Sequence, residues 1–278
     1  MTHWTPARKA DVARRWDAGE KPAQIARALG VSRASIIGLS RRLNLHFESG
    51  ARAIVLSKSH PAAVRGRSIF SHKRQDATAI LKPGSYSRKT GGTVTKGAWK
   101  GMPIYTLTLE ERATCPRSCE NWLSCYGNNM PWARRYMPGE KTEALIEYGL
   151  RDLQALYPMG FVVRLHILGD FYSVTYAFRW RQWLKDFPAL RIFGYTAWQS
   201  DTPIGQVIDG MRRENWSRFA IRTSGAKHGP RAVTIENEAK AKNAVVCPAQ
   251  TGRTNCCGTC ALCWSPAMRD IPIAFLQH

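Results

Sequence analysis

The chain has 278 residues, 44% of them hydrophobic, enough for about two domains with ordinary packed cores. Its mean hydropathy is −0.34 and no apolar run approaches the ~20 residues of a membrane helix, while Met1-Thr-His-Trp lacks the apolar stretch of a secretory leader. Membrane spanning and secretion are therefore not expected, and a cytoplasmic protein is. The formal charge of +21 is uneven: residues 1–100 hold 20 Lys and Arg against 5 Asp and Glu, and residues 101–278 hold 21 against 15. Such a field attracts polyphosphate whatever its sequence, so nucleic acid is the expected partner, ahead of a merely solubilising surface.

Residues 1–46 read as a domain of three short helices. Thr5 is an N-cap with Pro6 at the first helical position, Val12, Ala13 and Trp16 recur at helical spacing, and Gly19 closes the first helix. A second begins near Pro22 with Ile25, Ala26 and Leu29 on one face. Gly30-Val31 turns the chain, and Ser32 caps a third helix with Ile36, Ile37, Ser40 and Leu43. This is a helix-turn-helix pattern, in which the second helix props the third against a DNA duplex. Arg33, Ala34, Ser35 and Gly38 would face the groove, Arg33 and Ser35 reading base edges, while Arg41 and Arg42 would hold phosphates. A helical hairpin used only for protein contact is the alternative. Trp4-Thr-Pro, Ala23-Gln-Ile-Ala-Arg-Ala-Leu-Gly-Val-Ser-Arg and Ile37-Gly-Leu-Ser-Arg-Arg-Leu resemble the N-terminal module of the GcrA cell-cycle regulators, DNA-binding transcription factors of alphaproteobacteria. The resemblance covers about 45 residues, so that family's sigma-factor partner is not carried over.

Residues 47–100 are expected to form a basic linker. Arg65, Arg67, Lys73, Arg74, Lys82, Arg88, Lys89, Lys96 and Lys100 are interleaved there with Gly, Ser, Thr and Pro. From residue 101 to 278 strands alternate with helices: a strand over Ile104–Leu109, a helix over Lys141–Tyr157 and a strand over Phe161–Leu168 ending in Gly169-Asp170. A helix over Tyr172–Phe187, strands over Arg191–Thr196 and Arg218–Arg222, and Ala244–Val246 follow. This order predicts an α/β domain with a mainly parallel sheet.

The eight cysteines carry the chemistry of this half. In a chain so unlike a secreted scaffold, close clustering points to metal ligation before disulfides. Cys115, Cys119 and Cys125 fall in a loop after a strand, the edge where parallel sheets place their sites. Three thiolates can hold a [4Fe–4S] cluster with one iron left open, which is the logic of radical-SAM enzymes. The gap between Cys119 and Cys125 is wider than the usual C-x3-C-x2-C, which weakens SAM chemistry more than cluster binding. Gly169 and Asp170 stand where such enzymes hold the amino group of SAM, so SAM is a candidate ligand. Cys247, Cys256, Cys257, Cys260 and Cys263 supply enough sulfur for a second, complete site, holding another cluster or a zinc ion. A Cys257-Gly-Thr-Cys260 dithiol is the weaker reading. How the eight divide stays open: three and four with a spare, two sets of four, or one shared cluster.

Thr106-Leu-Thr-Leu before Cys115-Pro, Cys125-Tyr-Gly, His166-Ile-Leu-Gly-Asp-Phe-Tyr-Ser, Phe193-Gly-Tyr-Thr and Cys247-Pro-Ala-Gln-Thr-Gly through Cys260-Ala-Leu-Cys263-Trp resemble the phage gene-product-eighty-eight family. The resemblance spans roughly residues 80–265 and implies a reduced, radical-SAM-like partial barrel, a cluster-binding core, and a host that is a phage or mobile element. It implies no settled reaction. His166 and Asp170 are candidates for acid–base work, although strand-end residues of this kind more often satisfy the backbone. Tyr172, Trp180, Trp183, Tyr195 and Trp198 are candidates for base stacking, with core packing favoured; Arg179 and Arg181 suit a solvated face. There is no Walker loop, no G-x-S-x-G and no H-E-x-x-H.

The sequence thus points to a DNA-binding transcriptional regulator carrying one or two [4Fe–4S] clusters, with double-stranded DNA as partner and the transcription machinery as a further partner this reading allows. A radical-SAM-type enzyme acting on nucleic acid and a zinc-stabilised DNA-binding protein are the alternatives.

Overall fold

The computed structural model describes residues 4–43, 45, 54–70 and 79–277, without the side chain of Arg41. The chain divides into two compact units, residues 1–52 and 53–278.

In the first unit, local signals and packing agree. Pro6 opens α1 (Pro6–Asp17), and the Thr5 hydroxyl accepts a hydrogen bond from the Arg8 N–H, a cap that contributes about 1 kcal/mol. In α2 (Pro22–Ala28) the Lys21 N–H donates to the Gln24 side chain at 2.8 Å. The Ser32 hydroxyl accepts from the Ser35 N–H at 3.1 Å, holding the start of α3 (Arg33–Arg42). Val12, Trp16, Ile25, Ala26, Ile36 and Leu39 close a small core between the three helices.

The second unit is an α/β fold around one eight-stranded sheet. Its strands are β1 (Lys82–Pro83), β2 (Ile104–Thr106), β3 (Phe161–Leu165), β4 (Leu190–Thr196), β5 (Phe219–Ser224), β6 (Arg231–Ile235), β7 (Val245–Val246) and β8 (Ile273–Leu276). They lie in the order β1-β2-β3-β4-β5-β6-β8-β7, and every neighbouring pair except β1–β2 is parallel. Before β1 lies a short helix, α4 (Pro61–Arg65). Helices α5 (Glu140–Leu156), α6 (Val174–Asp186) and α7 (Pro203–Glu214) form the crossovers that parallel strands require.

Strand alternation sorts the sheet into two faces. Phe161, Val163, Leu165, Leu190, Ile192, Phe219 and Ile221 pack with Ile146, Leu150, Trp180, Ile208 and Met211 of the three helices. Burying each large side chain of this core contributes about 1.5–3 kcal/mol. The opposite face carries Val162, Phe193 and Ala220, covered by Val94, Trp99, Trp216, Ala261 and Trp264. Arg164, Tyr195 and Arg222 share this second face by the same alternation.

The linker expected over 47–100 is corrected for most of its length. Residues 54–70 and 79–100 belong to the second unit. Leu56, Ala62, Ala63, Ile80, Leu81, Val94 and Trp99 are buried, and the Leu56 N–H bonds to the Leu123 carbonyl. These apolar residues are scattered among lysines and arginines, so no periodicity announces them. Three expected spans also change. The strand from Ile104 ends at Thr106, the one from Phe161 ends at Leu165, and the helix near Tyr172 starts at Val174, behind a Ser173 cap.

Candidate functional site

Cys115, Cys119 and Cys125 occupy a loop beyond β2, at the C-terminal ends of the parallel strands. A buried polar frame fixes that loop. Arg112, whose backbone sits at φ 63°, donates to the Trp122 carbonyl at 3.0 Å and to the Asn128 side-chain oxygen at 2.5 Å. Asn128 in turn donates to the carbonyls of Leu123 and Ile54. Arg135 donates to the Gly127 carbonyl and pairs with Glu111 at 2.7 Å, both side chains being 2% exposed or less. Arg67 pairs with the buried Glu110.

Asp170 reaches the same loop because Gly169 turns the chain at φ 83°. A Cβ at Gly169 would collide with the Thr114 hydroxyl and with Leu109, so only glycine allows this approach. The Asp170 carboxylate accepts from the Thr196 hydroxyl at 2.8 Å and from the N–H groups of Ala197 and Phe171. It thereby ties the end of β3 to the end of β4, and burial pushes it up to about 7 against those three donors. Burial also raises all three thiols, Cys119 to about 11, and the charge of Asp170 raises Cys115 and Cys119 further.

A second set gathers on the sheet face opposite the helices. Cys247, Cys257, Cys260 and Cys263 line one cavity together with Lys89, Arg164, Tyr195 and Phe275. Trp264 stacks on Trp99 with centroids 5.1 Å apart and meets Phe193 at 4.5 Å, which pins the last turn of this segment to the sheet. The fully buried Arg222 donates to the carbonyls of Cys263, Met268 and Ile271, holding the chain that follows. Cys257 and Gly258 donate their N–H groups to the carbonyls of Lys89 and Thr90. Tyr195 Oη lies 2.9 Å from Cys263 Sγ. Burial raises Cys257 to about 11 and lifts Cys260 and Cys263 as well.

The division left open by the sequence is now visible: three cysteines at the strand ends, four around the cavity, and one apart. Cys256 does not line the cavity. Its sulfur lies 3.6 Å from the Thr259 hydroxyl at the start of the short helix α8 (Cys257–Cys260), in a gap that a Cβ at Gly91 would fill. Among the described residues no three Cys, His, Asp or Glu side chains are gathered as a single metal ion requires. A tetrahedral zinc site with Zn–S of ~2.3 Å needs its sulfurs about 3.8 Å apart. Four thiols lining one cavity form a donor set that suits a four-cysteine cluster or a zinc ion.

No family model, curated protein or solved structure matches this chain. Its chemistry is therefore read from its own residues.

The remaining candidates divide plainly. His166 is buried, its Nε2 3.2 Å from Tyr176 Oη and its ring edge-on to Phe171, and burial lowers it to about 3. It is a neutral packing group, unsuited to proton transfer near neutrality. Trp180 and Trp183 are core residues, Tyr172 stacks on Tyr176 and donates to Glu143, and the Trp198 indole donates to the Phe171 carbonyl. Tyr195 instead joins the cysteine cavity. Arg179 and Arg181 lie at the surface, paired with Glu143 and Glu214. In the first unit Arg33, Ala34 and Arg42 are exposed and Ser35 is half-buried; the side chain of Arg41 lies outside the described residues. Sequence reading missed Lys89, Arg164 and Arg222. The signal for two of them was present: Phe161-Val-Val-Arg-Leu and Phe219-Ala-Ile-Arg-Thr each place an arginine inside a buried apolar strand.

Proposed function

We propose that the protein is a DNA-binding transcriptional regulator of a phage or mobile element, whose second unit carries two iron–sulfur clusters. The observation that carries the DNA reading is the layout of α3. Ile36 and Leu39 lock one side of this helix against α1 and α2, while Arg33, Ala34 and Arg42 stay exposed on the other. A cationic helix seated on a capped pair with its N-terminal residues free is what groove reading needs.

The donor sets support the cluster reading. Cys115, Cys119 and Cys125 would hold one cluster and leave one iron for another ligand, while Cys247, Cys257, Cys260 and Cys263 would fully ligate the other. When bound, such a group supplies one-electron chemistry and a cross-link between distant segments. The chain's own contribution is to fix the thiols: Arg112, Asn128 and Arg135 brace the first loop, and Trp264 and Arg222 brace the second.

A second reading, an enzyme of the radical-SAM type acting on nucleic acid, is favoured by one arrangement. The three-thiol loop lies at the C-terminal ends of sequentially ordered parallel strands, beside Gly169-Asp170. Against it, both carboxylate oxygens of Asp170 are already engaged in tying β3 to β4. The zinc-stabilised alternative draws on the same four thiols.

Anisotropy titration of fluorescent duplex DNA, over a series of salt concentrations, tests the regulator. The expected result is binding that weakens steeply with salt and is reduced in an Arg33→Ala, Arg42→Ala double variant. Equal affinity of that variant and the parent protein would overturn it. Iron, sulfide and zinc analysis of anaerobically purified protein tests the cluster reading, and SAM-induced change in the reduced EPR signal would favour the enzyme.

A further inference from the structure

The two cysteine sets differ in the charge that surrounds them. Around the first, the carboxylates of Asp170 and Glu120 act on Cys119, and Glu111 acts on Cys125, where Arg112 and Arg135 oppose it. Around the second, the strongest charged neighbours other than the thiols themselves are cations. Arg164 and Lys89 act on Cys257, Lys96 on Cys260, and Arg222 on Cys263.

Arg164 is placed to matter most. It extends from β3 on the cysteine-bearing face, Nη1 donates to the Thr90 hydroxyl at 2.9 Å, and its buried Nε has no hydrogen-bond partner among the described residues. A guanidinium stays charged at every accessible pH, so this is a fixed positive charge lining the cavity that the four thiols share. Arg222 on the same face directs its donors to carbonyls, whereas Arg164 leaves that Nε without a partner, and an unsatisfied buried cationic group is costly. An anionic occupant of the cavity would supply that partner. The Tyr195 hydroxyl lies 2.9 Å from Cys263 Sγ and would donate to that sulfur once a metal centre holds it as thiolate.

We infer that Arg164 and Tyr195, with Lys89 beside them, set the reduction potential of the cluster held by Cys247, Cys257, Cys260 and Cys263, making it the first of the two to take an electron. This rests on the cluster reading given above. A four-cysteine [4Fe–4S] centre gains one electron and one unit of negative charge on reduction, without losing a bond. A nearby fixed cation and a hydrogen bond to sulfur stabilise the more negative form, and these are among the levers that set such potentials. The carboxylates near the first set act in the opposite sense, offset at Cys125 by Arg112 and Arg135.

The test is an EPR-monitored redox titration of the full-length, anaerobically purified protein, with dithionite as reductant. Two one-electron steps are expected in the parent protein. The higher must survive Cys119→Ser and Cys125→Ser together and vanish with Cys260→Ser, which assigns it. Arg164→Met should then move the higher midpoint down by at least tenfold in the reduction equilibrium, about 59 mV for one electron. Tyr195→Phe should move it less, in the same direction, and serves alone if the arginine variant does not fold. Arg181→Met, a surface change, should move neither step. Full iron and sulfide with midpoints unmoved in both variants would overturn the inference and leave the cluster reading intact. So would loss of the higher step with the first set. Protein with zinc and no sulfide would overturn both.

Discussion

Cys115, Cys119 and Cys125 stand near carboxylates at the ends of the parallel strands, whereas Cys247, Cys257, Cys260 and Cys263 stand near cations on the face of the same sheet. The supports differ as much as the charges. The first loop is braced by buried polar groups, chiefly Glu111, Arg112, Asn128 and Arg135. The second is braced by packed aromatics, Trp264 stacked on Trp99 and tilted against Phe193, with Arg222 collecting carbonyls behind it. A polar frame fails when one partner is removed and a charge is left unpaired. An aromatic frame fails when volume is removed. Two sites on one sheet are thus open to selective damage.

The largest effect should come from the cysteines proposed as ligands. Replacing Cys115 and Cys119 by Ser, or Cys247 and Cys260 by Ser, should each remove about half of the iron and sulfide, by elemental analysis. Cys256→Ser should leave both contents unchanged, and a matching loss there would break the division of three, four and one. Next come the frames. Trp264→Ala should cost about 3–5 kcal/mol by chemical denaturation and empty the second set preferentially. Arg135→Met, leaving Glu111 buried with the Ser68 hydroxyl but without its cation, should cost about 3–5 kcal/mol and empty the first. If either variant depletes both sets equally, the frames are not separate.

A smaller effect concerns pH. His166 is held neutral, lowered from 6.5 to about 3 by burial. Below pH 6.5 the unfolded chain binds a proton that the folded chain refuses, so stability falls as pH falls toward 3. At ~1.36 kcal/mol per unit, this one group removes about 3 kcal/mol by pH 4. His166→Phe should flatten that limb relative to the parent protein in denaturation series from pH 7 to 4; an identical slope would mean the ring is not held neutral. The smallest effects lie in the first unit. Arg33→Ala should cost about 1–3 kcal/mol at a preferred DNA site, and Arg42→Ala should lower the salt slope by about 1. Anisotropy titrations read both.

Much of this molecule was legible before its fold. The caps at Thr5 and Ser32, the prolines at 6 and 22, and the apolar spacing in α1 to α3 are local features, and the three helices form where those features fall. The same holds for α5, β3, β4 and β5, whose apolar runs are long enough to show their period. Helix α7 was overlooked although its signal was present: Thr202 caps it, Pro203 opens it, and Ile204, Ile208 and Met211 recur on its buried side. Strands β1 and β7, two residues each, carry too short a pattern to read, and β8 depends on pairing with β6 and β7 for its place.

By itself, the sequence determined the local elements, the positive charge, the alternation of strands and helices, and the presence of two groups of cysteines. Each depends on neighbours within a few residues or on composition, where capping, periodicity and charge act directly. Tertiary structure alone decided which cysteines share a space. Residues 247 and 257–263 meet over Arg164 and Tyr195 because parallel pairing brings β3, β4 and β8 onto one face, and no spacing along the chain encodes that meeting. It also decided that Asp170 stands beside Cys115 and that most of 47–100 is core-bearing chain instead of tether. Contacts between residues so far apart along the chain are set by the sheet's order, which emerges only when the whole unit buries its apolar surface.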